Sequence, residues 1–123
     1  KFFDHIIERG GEAALQDLKQ LKTSWSSPIE LWEDAWEHEQ FITGKINGIM
    51  KVVREESDYA AEPLLAWFVE EQIEEEANSS SILEQMKMIG DSKQGLIMLD
   101  RELGWRAFAA GSAYDPAAYK AAK

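Results

Sequence analysis

The chain has 123 residues, which is enough for one domain, and its 45% hydrophobic content supports a packed core. Its 23 acidic and 13 basic side chains give a formal net charge of -10, which disfavours nucleic acids and anionic membrane surfaces and favours cationic partners. Cysteine is absent and no apolar run approaches the roughly 20 residues of a membrane span, so we expect an intracellular, soluble protein whose metal ligands are oxygen or imidazole.

The first segment of the chain has the pattern of a helix end. Phe2, Phe3, Ile6 and Ile7 repeat at helical spacing, and the repeat stops at Gly10 and Gly11. From residue 11 to residue 26 no sustained apolar stripe follows. We therefore predict a long crossover, with room for a short helical turn, that joins parallel neighbours.

Two long helices are predicted next. Ser26-Ser27-Pro28 provides an N-cap and a proline at the first helical position, and the helix should run to about Glu56. Ser57-Asp58 should end it and cap a second helix from near Tyr59 to about Ile89. A tight turn between helices of similar length predicts an antiparallel pair. A short helix from Gly95 to Trp105 and an alanine-rich tail complete the chain.

Each long helix carries a carboxylate on its apolar side. At about 100° per residue, Glu39 lies near the middle of one apolar stripe, and Glu75 lies within roughly 20° of the centre of the other. Gln72 and Glu71 flank Glu75. Glu39 precedes Ser57 by 18 residues and Glu75 follows it by 18, so an antiparallel pair should bring the two acids together. Two facing buried carboxylates cost several kcal/mol unless they share a proton or bind a cation.

A less specific interpretation is that the acidic run from Glu70 to Glu76 is a solvated helix surface. That explains Glu70 and Glu74, which project away from the stripe, but not Glu75. Nearby lysines rotate away from the stripes, and this favours a metal as the counter-ion. The absence of any Glu-x-x-His pair, which carboxylate-bridged metal bundles normally carry, argues against a complete site within this sequence. The outward side chains of Phe41 and Ile73 suggest contacts with another subunit.

Three stretches of the sequence resemble a known family. Glu37-His38-Glu39-Gln40-Phe41-Ile42, Glu71-Gln72-Ile73-Glu74-Glu75-Glu76 and Gly95-Leu96-Ile97-Met98-Leu99-Asp100-Arg101-Glu102-Leu103 resemble helices C, D and E of bacterial and archaeal non-haem ferritins. The opening segment resembles the end of helix B, and residues 10 to 27 the crossover between helices B and C. The resemblance covers about residues 1 to 107. It implies an all-α, ferritin-like four-helix bundle formed as a single domain over residues 1 to 123, without helix A and most of helix B.

The resemblance also implies a function and a set of site residues. Ferritins oxidise Fe(II) with dioxygen at a dinuclear site and store the ferric mineral inside a cage. By position, Glu39, Gln72 and Glu75 correspond to residues around the dinuclear iron site, and Glu71 and Glu74 to acids that help to hold a third iron. Glu62 falls where such cages line threefold pores. The glutamate of helix A and the Glu-x-x-His of helix B have no counterpart in this sequence.

The same resemblance sets the expected partners. It implies a homo-oligomer, a cage of about 24 subunits when complete, in the cytoplasm, with Fe(II) and dioxygen as substrates and with no haem, nucleic acid or membrane partner. Two alternatives from the residues stay open at this point. One is a non-catalytic helical assembly fragment whose internal acids are satisfied by protons, water or partner side chains. The other is a two-helix protomer that oligomerises into a bundle.

Overall fold

The computed structural model describes residues 1–17 and 21–105, and these form four α-helices and no strand. The helices are α1 (Phe2–Glu8), α2 (Pro28–Glu55), α3 (Glu62–Ile89) and α4 (Lys93–Gly104). The all-α fold predicted from the sequence is confirmed. The chain divides into two compact units, Lys1–Lys87 and Met88–Lys123.

Helix α2 begins where its capping residues predict. Pro28 is the first helical residue, and the Ser27 hydroxyl accepts a hydrogen bond from the backbone N–H of Glu30 at 3.1 Å. The Glu30 carboxylate in turn accepts a hydrogen bond from the backbone N–H of Ser26 at 2.6 Å. These two reciprocal bonds satisfy donors that a helix start would otherwise leave unpaired.

The end of α2 is a Schellman motif built on a serine. Ser57 has a φ of 57°, and its N–H donates to the carbonyl of Arg54 at 3.2 Å. The next N–H, that of Asp58, donates to the carbonyl of Val53 at 2.8 Å. Glycine normally occupies the left-handed position of this motif because a side chain there is strained.

This turn consumes more residues than the sequence predicted. Helix α3 begins at Glu62 and not near Tyr59, so the predicted start was three residues early. The Asp58 side chain does not cap α3 either. Both of its oxygens accept hydrogen bonds from Nη1 of Arg9, at 2.6 and 2.7 Å.

Helices α2 and α3 form the predicted antiparallel pair. At one end, Lys87 of α3 lies 3.3 Å from the carboxylate of Glu33 on α2, and at the other Arg54 lies 3.0 Å from Glu62. Residue numbers rise along one helix as they fall along the other, which defines the antiparallel direction. The apolar side chains that these two helices bury are Ile46, Leu65, Ile82, Leu83 and Met86.

Helix α1 packs on the first half of α3. The Phe2 ring stacks on Phe68 with 4.5 Å between centroids, while Arg9 at the other end of α1 reaches Asp58, before α3 begins. Helix α1 is therefore antiparallel to α3 and parallel to α2. The long segment between α1 and α2 connects parallel helices, as predicted, and its described residues 11–17 and 21–25 contain no helical turn.

An ionic cluster attaches the crossover to α2. Nζ of Lys22 lies 2.8 Å from Glu30 and 2.6 Å from Asp34, and the indole N–H of Trp25 also donates to Asp34, at 2.7 Å. The hydrogen bond from Lys22, followed by those from Ser26, lowers the pKa of Glu30 to about 2. Hydrogen bonds from Lys22 and then Trp25 lower the pKa of Asp34, and the hydrogen bonds that Lys22 donates to Asp34 and then Glu30 raise the pKa of Lys22.

The second unit contains α4. The Ser92 hydroxyl caps this helix by accepting from the N–H of Gly95 at 3.2 Å, so the helix starts at Lys93, two residues before the predicted start. A Cβ on Gly95 would lie 2.6 Å from Cγ2 of Ile89, which explains why glycine is needed there. Leu99 is buried. The alanine-rich tail lies outside the described residues.

Candidate metal centre

A buried amide joins α2 to α3 at mid-height. Nε2 of Gln72 on α3 lies 3.1 Å from the carboxylate Oε2 of Glu39, 3.1 Å from the Glu39 backbone carbonyl and 3.3 Å from the Thr43 hydroxyl. Gln72 is only 8% exposed. The bond between Glu39 and Gln72 shows that the side chains of both residues reach the interface of the two helices.

The orientation of the Gln72 amide follows from its neighbours. Two Glu39 atoms contact the amide. The backbone carbonyl oxygen can accept hydrogen bonds but cannot donate them, and the same holds for the carboxylate oxygen in its ionised form. The nitrogen end of the amide must therefore face Glu39. A bond from a neutral donor to a carboxylate in a partly buried site is stronger than its counterpart between two neutral groups.

Glu39 keeps one oxygen available. Its side chain is half-buried, and within residues 1–17 and 21–105 the Oε2 atom is hydrogen-bonded to Gln72 while Oε1 has no hydrogen-bond partner. An ionised oxygen that is partly removed from water and lacks a donor is a favourable ligand for a cation.

Glu75 lies three residues beyond Gln72 on α3, about 4.5 Å farther along the helix axis, and it is half-buried. Its backbone carbonyl accepts a hydrogen bond from the Ser79 hydroxyl at 2.5 Å. The structure thus places Glu75 within a turn of the bond between Glu39 and Gln72. Direct pairing of the Glu39 and Glu75 carboxylates stays a prediction.

The remaining acids named from the resemblance differ in their surroundings. Glu71 is half-buried beside Gln72, while Glu74 is exposed. Glu62, at the start of α3, is paired with Arg54 of α2 at 3.0 Å. In the described part of the chain, no three or more carboxylate, imidazole or thiol side chains are grouped so as to hold a metal ion. The binding of a metal by Glu39, Gln72 and Glu75 stays a prediction.

A groove of about 310 Å³ borders the same bridge. Its lining comes from both long helices: Thr43, Ile46 and Asn47 from α2 and Val69, Gln72, Ile73 and Glu76 from α3. Thr43 was not among the site residues predicted from the sequence. Its position four residues after Glu39, and so on the same face of the helix, is the signal that could have revealed it.

The outward apolar side chains are where the helical pattern placed them. Phe41 is 56% exposed and Ile73 is 69% exposed. The His38 ring stacks on Phe41 with 6.3 Å between centroids, and Nζ of Lys45 lies 4.9 Å from the centroid of the same ring. None of the helices in the described residues combines the length and the apolar character needed to cross a membrane.

These features define a class of helical-bundle protein. It has a crossover between parallel helices, followed by an antiparallel pair of long helices that hold carboxylate and amide side chains in their interface. Comparison with family models agrees, because a ferritin-like domain matches residues 1–89. The chain belongs to the ferritin family.

Relatives and solved structures cover most of the chain. It is 35% identical over 103 residues to a bacterial non-heme ferritin from Bacteroides fragilis, covering 84% of this chain and 64% of the relative. It is 38% identical over 104 residues to a probable bacterial non-heme ferritin-like protein from Haemophilus influenzae, and the match covers 85% of this chain and 63% of that relative. An open-pore ferritin from the archaeon Archaeoglobus fulgidus superposes with a TM-score of 0.81 at 37% identity, and the superposition covers 85% of this chain and 65% of that ferritin. The chain thus spans slightly less than two thirds of the length of these proteins.

Proposed function

We propose that this chain is part of one ferritin-like domain of an iron-storage protein, which oxidises Fe(II) with dioxygen and deposits the ferric mineral inside a cage. One observation carries the proposal: a partly buried bond between Gln72 and Glu39 that leaves a carboxylate oxygen available inside a ferritin-family bundle. The similarity to ferritins supports it.

The chemistry of these side chains suits Fe(II) oxidation. Carboxylate and amide oxygens are hard ligands, and they stabilise Fe(III) over Fe(II), which favours loss of an electron from the bound ion. Each Fe(II) gives up one electron, and dioxygen accepts a pair of electrons and a pair of protons to leave as hydrogen peroxide. The net charge of -10 favours accumulation of the cationic substrate near the protein.

The proposed roles follow the positions of the residues. Glu39, Gln72 and Glu75 border a dinuclear iron site, with Glu39 as a ligand through Oε1, and Glu71 and Glu74 hold a third iron beside it. Because the described residues contain no group of three or more such ligands, we propose that the other ligands of the pair of irons come from residues outside those described.

The proposed assembly is a homo-oligomeric cage of about 24 subunits in the cytoplasm. The exposed apolar side chains of Phe41 and Ile73 on the outer surfaces of α2 and α3 support subunit contacts. Exposed apolar area of this kind is stabilised by burial against a neighbour. Sedimentation or native mass measurement distinguishes a cage from a small oligomer.

The test replaces the two inward acids one at a time, as Glu39→Gln and Glu75→Gln, in the full-length protein. We expect the initial rate of Fe(II) oxidation, followed by stopped-flow absorbance, to fall by at least about tenfold in each variant, since each loses a charged ligand. Glu84→Gln is the matched control, because Glu84 lies on the exposed side of α3. Wild-type rates in both inward variants would contradict the proposal.

A second candidate is a non-catalytic helical assembly unit, either a fragment or a two-helix protomer that oligomerises. The lack of a three-ligand group in the described residues favours it. Thermal unfolding with Zn(II), a redox-inert substitute for Fe(II), separates the two. A metal site raises the unfolding midpoint with metal concentration through mass action, whereas a purely structural role leaves it unchanged.

A further inference from the structure

The amide nitrogen of Gln72 has more acceptors than hydrogens. It carries two N–H groups, and three oxygen atoms lie within 3.1 to 3.3 Å: two of Glu39 and the hydroxyl of Thr43. The two Glu39 oxygens belong to one residue, so the hydroxyl is the acceptor that fixes the amide from a second point on α2.

The position of that hydroxyl is well determined. Thr43 follows Glu39 by one helical turn, so both side chains project from the same face of α2 toward Gln72. Threonine in a helix is confined mainly to two χ1 rotamers, so holding the Thr43 hydroxyl in the one that reaches Gln72 costs little side-chain entropy.

We propose that Thr43 is a positioning residue for the metal centre: its hydroxyl holds the Gln72 amide in the orientation that donates to Oε2 of Glu39 and leaves Oε1 for the cation. This inference rests on the proposed function and deepens it. Thr43 does not bind the cation itself, since it acts through Gln72.

The groove explains why the hydroxyl, and not only the shape of threonine, matters. Thr43 and Gln72 both line it, so water can approach the amide from that side. Without the hydroxyl, both remaining acceptors belong to Glu39, so the amide loses its second point of attachment on α2 and can rotate away from the carboxylate. Glu39 then has more rotamers to lose when it binds a cation, which weakens binding.

The test compares Thr43→Val, which keeps the shape and removes the hydroxyl, with Thr43→Ser, which keeps the hydroxyl. Zn(II) affinity of the full-length protein is measured by isothermal titration calorimetry. Loss of one hydrogen bond should weaken Zn(II) binding about three- to tenfold in Thr43→Val, and Thr43→Ser should stay within about twofold of wild type. In Fe(II) oxidation, KM should rise by a similar factor while kcat changes little.

Asn47→Ala is the matched control. Asn47 lines the same groove, and within the described residues it makes no hydrogen bond to Gln72, so we expect wild-type affinity. Thr43→Ala provides the same hydroxyl deletion if the valine variant does not fold.

The outcomes separate this inference from the function on which it rests. Weakened binding in Thr43→Val with recovery in Thr43→Ser supports the inference. Wild-type affinity in Thr43→Val, or equal weakening in valine and serine variants, overturns it while the proposed function stands if Glu39→Gln still loses Zn(II). If Glu39→Gln binds Zn(II) as well as wild type, the proposed function fails as well.

Discussion

The central role of the Gln72 amide predicts that its replacement by an acid of the same length will be damaging. Gln72→Glu exchanges a donor for an acceptor at a position 3.1 Å from Oε2 of Glu39. Two full charges at that separation repel by about 5 kcal/mol at an effective dielectric constant of about 20. Relaxation of both side chains reduces this, and we expect a loss of about 2–4 kcal/mol in the free energy of unfolding at pH 7.

The pH dependence of this loss identifies its cause. Repulsion favours a shared proton in the folded variant, so the folded state binds more protons than the unfolded state. Stability of Gln72→Glu should therefore be close to that of a neutral variant at low pH and fall as pH rises from about 4.3, the ordinary pKa of a glutamate in an unfolded chain, up to the raised pKa of the folded pair. A divalent cation should restore stability at neutral pH, because it binds the folded pair of carboxylates.

The assay is thermal or urea unfolding of the full-length protein between about pH 4 and pH 8, with and without Zn(II), at one fixed scan rate. Gln72→Met is the matched control. It removes the hydrogen bonds without adding charge, so we expect a loss of about 1–3 kcal/mol in the free energy of unfolding. This loss should not show the pH dependence or the recovery with Zn(II) that we expect for Gln72→Glu. Equal pH profiles for the two variants would refute the electrostatic reasoning.

Two further predictions concern the elements around the site. Ser57→Gly should raise the free energy of unfolding by about 0.5–1 kcal/mol, because glycine adopts the φ of 57° without strain, and a change within error or a loss in urea unfolding would contradict this. Glu30 has its pKa lowered to about 2 from 4.5, so its stabilising effect is complete above about pH 4.5 and is lost as pH falls toward 2. The measurement is acid unfolding followed by circular dichroism. The loss of helical signal with falling pH should be less steep in Glu30→Gln than in wild type, whereas Glu12→Gln should keep the wild-type slope.

The sequence was most informative where a local signal coincides with the final structure. Pro28 and the two serines before it predict the start of α2 from local sequence alone, because the capping hydrogen bonds join residues only three or four apart. The start of α3 was predicted too early because Asp58 has two possible roles. Its carboxylate can cap a helix or pair with a cation, and the choice depends on Arg9, which is distant in sequence.

The site shows the same distinction between local and long-range information. Helical periodicity placed Glu39 and Gln72 between the helices, because burial of the apolar stripe decides which side chains face inward. The particular hydrogen bonds were not predictable from periodicity. Whether Glu39 meets Gln72 or Glu75 depends on the axial offset of the two helices, and a shift of one turn, about 5.4 Å, is set by the turn after Ser57 and by side-chain packing. Thr43 was missed for this reason.

In the proposed iron site, an amide at position 72 reconciles folding with metal binding. An inward carboxylate is costly in a bundle without metal, and a lysine or arginine partner would neutralise it but would also compete with a cation for it. A neutral donor occupies one oxygen of Glu39 and adds no positive charge to repel Fe(II). In the proposed site, Gln72 therefore holds Glu39 without reducing the attraction of the neighbouring acids for iron. The acidic neighbours Glu71, Glu74 and Glu75 increase that attraction, and the neutral amide among them keeps a like charge from facing Glu39 directly.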